Sequence, residues 1–144
     1  MREIKFRAWD KRENRFVHAD YETDPFEIYL DGTFLGLIGH EWEGGERFEV
    51  MQFTGLQDKN GKDIYEGDIV RLIRGEGVHT YDMSDPNPNI RIVTFHGEDA
   101  AFNLYMMDNK KQGSGLTFCK GNAEKGCFEI IGNIYENPKL LEDL

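Results

Sequence analysis

Positive charge is scarce in this sequence. Seventeen Lys and Arg stand against 27 Asp and Glu, a net charge of −10 in 144 residues. Phosphate backbones draw clustered Lys and Arg, so a nucleic-acid footprint spread over the whole molecule is disfavoured. An anionic membrane surface is disfavoured for the same reason. Cysteine is scarcer still, with only Cys119 and Cys127. A structural zinc site takes four Cys or His ligands at short spacings. The pair has no CxxC pattern, and His18, His40, His79 and His96 are scattered. Both thiols therefore read as reduced, in a cytoplasmic setting. The competing reading is a hairpin disulfide between them. No apolar run approaches the roughly 18 residues that a membrane helix requires. The opening Met1–Trp9 reads as a strand and lacks the apolar centre of a secretion signal. The catalytic signatures GxGxxG, Walker loop, GxSxG and HExxH do not occur. Only four prolines interrupt the chain, whereas glycine is plentiful at 16.

What is present points to strands. Hydrophobic residues make up 39% and charged residues 31%, a globular balance rather than a disordered one. Turn signals recur about every ten residues, the rhythm of short strands rather than long helices. Ile4–Trp9 alternates apolar and charged, and Arg15–His18 returns after a turn at Asp10–Asn14. Phe26–Leu30 and Thr33–Ile38 flank the tight-turn pair Asp31-Gly32. His40–Glu46 is polar and Gly-rich and reads as a loop. Phe48–Phe53 alternates again. Gln57–Lys62 is the strongest turn signal in the chain, since Asn60-Gly61 accepts the positive φ angles of a hairpin. Asp63–Tyr65 continues that hairpin, and Glu66–Asp68 makes a second bend. Ile69–Ile73, Ile90–Phe95, Ala101–Met106, Leu116–Cys119 and Phe128–Ile131 supply five further strands. Asn137-Pro138 ends the last one in a turn, followed by a helical turn carrying Leu140 and Leu141.

The expected fold is mainly β, a β-rich α+β arrangement with a short C-terminal helical turn. An irregular N-terminal β subdomain over 1–57 precedes a small SH3-like β-barrel over 58–144. Barrel closure is expected because it removes exposed sheet edges. Residues 75–89 lack periodicity and read as an extended loop of the kind that often carries function.

Candidate binding residues follow from position. Trp42 lies in an acidic, Gly-rich stretch, where an exposed Trp makes an interface anchor. Tyr65, Glu66 and Asp68 form the most patterned turn. The functional reading is a cation or acid/base pair at Glu66 and Asp68. The structural reading, which we favour, has Gly67 taking the bend, Asp68 capping it, and Ile69 and Val70 entering the core. His79 and Tyr81 cluster with Asp82 and Asp85 in the long loop. Asp58–Asp63 opens like a calcium loop, but the positions that need Gly and Glu hold Asp63 and Ile69. No catalytic residue, metal ligand or cofactor is assigned.

Residues 1–24 are neutral, with six Lys or Arg and six acids, whereas 25–50 carry six acids against Arg47 alone. The cations Arg2, Lys5, Arg7, Lys11, Arg12 and Arg15 read chiefly as charges that solvate the strand faces. Beside Trp9 and Phe16 they also make a local patch that could hold a single strand of nucleic acid. Trp9 itself, at the end of an alternating strand, is expected in the core.

Three blocks carry a family resemblance. They are Met1–Asp10 at the start, Met51–Val70 in the middle (MQFTGLQDKNGKDIYEGDIV), and Ile131–Pro138 near the end (IGNIYENP). In this order they resemble the YopX family of phage and prophage proteins over nearly the whole length. The resemblance implies a β-rich protein with an SH3-like C-terminal portion, encoded in phage or prophage DNA and acting in the bacterial cytoplasm. It implies no activity, and it brings no catalytic residues with it. The leading functional expectation is a non-catalytic binding or adaptor module, working through protein–protein contacts or self-association. The alternatives are a nucleic-acid-associated accessory protein and a metal-dependent hydrolase built on the acid surplus.

Overall fold

A computed structural model describes residues 3–18, 26–28, 34–38, 41–73, 90–96, 101–106, 116–117 and 128–142. The expected loop at 75–89, with His79 and Tyr81, lies outside these residues. So do both cysteines. The described residues are mainly antiparallel β-structure with a single four-residue helix, α1 (Lys139–Glu142). The chain divides into two compact units, Met1–Phe53 and Thr54–Leu144.

In the first unit, β1 (Phe6–Asp10) pairs with β2 (Arg15–His18) and with the first half of β6 (Phe48–Gln57). The register places Ala8 opposite Val17 on one side and Val50 on the other. Alternate residues of a strand share a face, so these three meet Phe6 and Phe48 in one apolar cluster. The opposite face holds Trp9 and Phe16, edge to face at 4.9 Å between ring centroids. Trp9 is buried there, as the alternation requires. Arg7 departs from its expected role of solvating the sheet. It is buried, with its guanidinium 4.4 Å from the centre of the Phe16 ring. A weakly hydrated, planar cation tolerates that position far better than an ammonium does.

A separate three-stranded sheet joins β3 (Phe26–Ile28), β4 (Phe34–Ile38) and β5 (Glu41–Gly44). The strand β5 corrects the loop expected over His40–Glu46. Pairing with β4 sets Trp42 opposite Leu37, and such cross-strand partnering outweighs a polar, Gly-rich composition. A 3-10 turn at Gly45–Arg47 then leads into β6.

In the second unit the end of β6 runs beside β7 (Asp63–Tyr65). A five-stranded antiparallel sheet follows. It comprises β8 (Asp68–Leu72), β9 (Ile90–His96), β10 (Ala101–Met106), β11 (Leu116–Thr117) and β12 (Phe128–Asn133), in the order β11-β10-β9-β8-β12. Its five strands are those expected from the sequence. Ile64, Val70, Leu72, Val93 and Phe128 make the core, with Leu56 and Ile130 packed against it. Full burial of side chains of this kind contributes about 1.5–3 kcal/mol each. The β12–β8 register shifts between Ile130 and Gly132, so Ile131 forms a bulge.

Gly132 sits where this bulge meets the final turn. A Cβ there would lie 2.6 Å from Asn137 Oδ1 and 2.9 Å from Leu140 Cδ1. Asn137 Oδ1 also accepts the Asn133 main-chain N–H at 3.2 Å, so it is held in place. Gly132→Ala is therefore expected to cost about 1–3 kcal/mol through overpacking. Urea denaturation of the two proteins reads the difference, and equal midpoints would show that Asn137 yields freely.

Candidate functional site

Three acids are buried among the described residues: Asp10, Asp58 and Asp68. Each sits where a strand meets a turn, and each carboxylate accepts main-chain N–H groups of that turn. Asp10 closes the β1–β2 hairpin. Its Oδ1 accepts the N–H of Arg12 at 3.0 Å and of Glu13 at 3.2 Å. Asn14 completes the turn with φ 51°, a left-handed conformation that Asn tolerates. Arg47 then clasps the same carboxylate with both arms, Nε to Oδ1 at 2.9 Å and Nη2 to Oδ2 at 2.7 Å. The Lys11 N–H returns to the Arg47 carbonyl at 3.0 Å. Burial pushes the Asp10 pKa up, but the Arg47 guanidinium and the two turn N–H groups outweigh it, so the carboxyl lies below its ordinary range.

Asp58 performs the same office in the second unit, over a longer span. Its Oδ1 accepts the N–H of Asn60 at 2.8 Å and of Lys62 at 3.0 Å. Its Oδ2 accepts the N–H of Ile130, 72 residues along the chain, at 3.2 Å. The Lys59 N–H donates to the Phe128 carbonyl at 2.9 Å. The turn thus acts as a one-residue strand beside β12, with a carboxylate oxygen standing where a main-chain carbonyl would. Burial again raises the pKa, and the bonds from Lys62, Ile130 and Asn60 lower it further than burial raises it.

Asp68 follows the structural reading of its turn. Gly67 takes φ 80°, Asp68 Oδ2 accepts the Tyr65 N–H at 2.8 Å, and Ile69 and Val70 are fully buried. Gly67 also donates to the Val93 carbonyl at 2.8 Å and accepts from Ile134 at 3.0 Å. The last of these bonds reaches the closing block of the chain. There Asn133 Oδ1 accepts the N–H of Tyr135 and Glu136, and Asn133 Nδ2 donates to Glu136 at 2.7 Å. The central and closing sequence blocks therefore meet at the bend around Gly67, while the Asp58 turn holds β12 just ahead of the closing block.

Of the residues expected to bind a partner, Tyr65, Glu66 and Asp68 come together in that second bend. Tyr65 and Asp68 are buried and Glu66 is partly exposed. Trp42 lies on β5 of the first unit. His79 and Tyr81 fall outside the described residues. Sequence reasoning missed the Asp10–Arg47 clasp and the reach of Asp58 to Ile130. The signal available for the first was an Asp before a four-residue turn, which suits an Asx cap. Among the described residues, no group of three or more His, Cys, Asp or Glu side chains gathers as a metal site. No helix of the described residues is long and apolar enough to cross a membrane.

Fold and site together define a β-rich protein whose buried acids brace its turns and join distant strands. Residues 5–142 match the family model described as YopX protein, and the chain belongs to that family. Among solved structures, it is similar to protein EF1440 from Enterococcus faecalis, at 26% identity and a TM-score of 0.59, covering 98% of this chain and 99% of the other. Protein yopX from Bacillus subtilis, at 20% identity, shares the fold with a TM-score of 0.54 over 97% of each chain. No curated protein matches the chain.

Proposed function

We propose that this chain is a phage- or prophage-encoded accessory protein that works in the bacterial cytoplasm as a non-catalytic binding or adaptor module, through protein–protein contacts or self-association. The observation that supports it is the use of the buried acids. Acid/base work needs a carboxylate whose proton affinity is tuned toward neutrality and whose oxygens face a substrate. Asp10 and Asp58 are tuned the other way, and their oxygens are turned onto main-chain N–H groups. Apolar contact points are nonetheless present, with Phe95 46% and Ile4 68% exposed. The family membership is compatible with this role.

The nucleic-acid alternative draws less support. Base stacking needs accessible aromatic faces, yet Trp9 is buried and the Phe16 ring is already covered by Arg7. Light scattering across a concentration series, coupled to size exclusion, is expected to show either a defined oligomer or a complex with a host protein that co-elutes. Labelled single- and double-stranded oligonucleotides at low salt are expected to leave fluorescence anisotropy unchanged. A strict monomer without a partner, or saturable oligonucleotide binding, overturns the proposal.

A further inference from the structure

The tip of the β6–β7 hairpin juxtaposes an exposed Asn60, a following glycine and the Asp58 cap. We infer that Asn60 is a site of spontaneous deamidation, and that the Asp58 turn sets its rate. The Gly61 main-chain nitrogen attacks Asn60 Cγ, loses its proton to water, and the side-chain nitrogen leaves as ammonia. The resulting succinimide takes up water at either carbonyl and opens to aspartate or isoaspartate. No oxidant or cofactor enters, and water is the only co-reactant.

The local structure both permits and restrains this step. Asn60 and Gly61 are exposed, and nothing lies within 4 Å of where a Gly61 Cβ would be, so this side of the tip is open to solvent. In the closed turn, however, the Gly61 N–H donates to the Asp58 carbonyl at 3.0 Å. The Asn60 N–H is held on Asp58 Oδ1 at 2.8 Å. Cyclisation therefore requires the turn to open, and local opening of this kind is far cheaper at a hairpin tip than in a core strand. The consequence reaches beyond the tip. Aspartate at position 60 sets a second anion within two residues of the Asp58 carboxylate. Isoaspartate adds a backbone carbon between the Asn60 and Lys62 N–H groups. Both loosen the carboxylate that holds the Ile130 N–H on β12.

Peptide mapping by mass spectrometry after incubation of the full chain at mildly alkaline pH tests the site. Aspartate and isoaspartate are expected at position 60, more slowly than in the same chain unfolded in urea. Asp58→Ala is expected to speed the reaction several-fold, toward the unfolded rate. Should that variant fail to fold, the parent in urea below its unfolding transition supplies the same comparison, with the rate rising before global unfolding. The Asn60→Asp variant is expected to unfold at a lower temperature than the parent. Intact Asn60 after full conversion of the unfolded chain, or a rate indifferent to Asp58 and to mild urea, overturns the inference. So does an Asn60→Asp chain as stable as the parent.

Discussion

Arg47→Ala is expected to destabilise the first unit by about 3–5 kcal/mol, because removing one partner of a buried pair leaves the other charge uncompensated. The Asp10 side chain is 0% exposed and Arg47 only 8%. Asp10 would keep the turn N–H groups of Arg12 and Glu13 but lose both guanidinium bonds. Arg47→Lys is expected to recover only part of the loss, since one ammonium cannot span two carboxylate oxygens as the fork does. The double variant Asp10→Asn/Arg47→Met removes both charges together, and it is expected to be more stable than Arg47→Ala alone. Urea unfolding followed by the near-ultraviolet signal of the two tryptophans, Trp9 and Trp42, reads the first unit, which holds both. The exposed Lys11–Glu49 pair, 3.1 Å apart in the same unit, serves as the contrast. Its loss is expected to cost well under about 1 kcal/mol, and to respond to salt. An Arg47→Ala chain no weaker than the Lys11 variant would show that Asp10 is satisfied by its turn alone.

What the sequence made legible in this fold is local, and what it concealed is distant. The hairpin tip at Asn60-Gly61 and the bend at Gly67-Asp68 were readable because a few adjacent residues decide a turn by their own φ preferences and short polar side chains. The strands of the five-stranded sheet in the second unit were readable from β-branched and aromatic runs bounded by such turns. The Asp10–Arg47 clasp was not, because nothing within Asp10–Asn14 names a cation 37 residues away. Asp58 was half legible. Its grip on Asn60 and Lys62 belongs to the turn it starts, whereas its bond to Ile130 exists only once β12 has docked. Arg7 misled for a related reason. An alternating strand is read as having one wet face, yet both faces of β1 carry buried residues, and the guanidinium found an aromatic ring. The β5 strand was hidden by composition, since Glu and Gly disfavour strands unless a neighbouring strand, here β4, pairs with them. The candidate site divides along the same line. The blocks that carry the family resemblance are legible as text, but their meeting at Gly67 through Ile134 is a tertiary fact.

Asp58→Asn is expected to weaken the second unit by about 2–4 kcal/mol, on the scale of roughly 1 kcal/mol or more for each donor left without its acceptor. The amide keeps the shape but puts an NH2 group in place of one carboxylate oxygen, facing either the Ile130 N–H or the Asn60 and Lys62 pair. The Asn60 and Lys62 donors lie near solvent and find water, so the larger share of the loss falls on Ile130, where β12 meets the turn. The pH dependence separates charge from shape. The folded-state pKa of Asp58 lies below its unfolded value, because its N–H donors favour the ionised form. Its contribution is therefore complete above the ordinary aspartate range, and is lost as pH falls through that range toward the folded pKa. Asp10 has the same sign for its own reasons, so the parent chain is expected to lose stability on acidification through both carboxylates. Asp58→Asn cannot be protonated at this position, and its unfolding midpoint is expected to fall less steeply over the same window. An acid slope identical to the parent's would mean that the bonds from Asn60, Lys62 and Ile130 do not hold the carboxylate ionised.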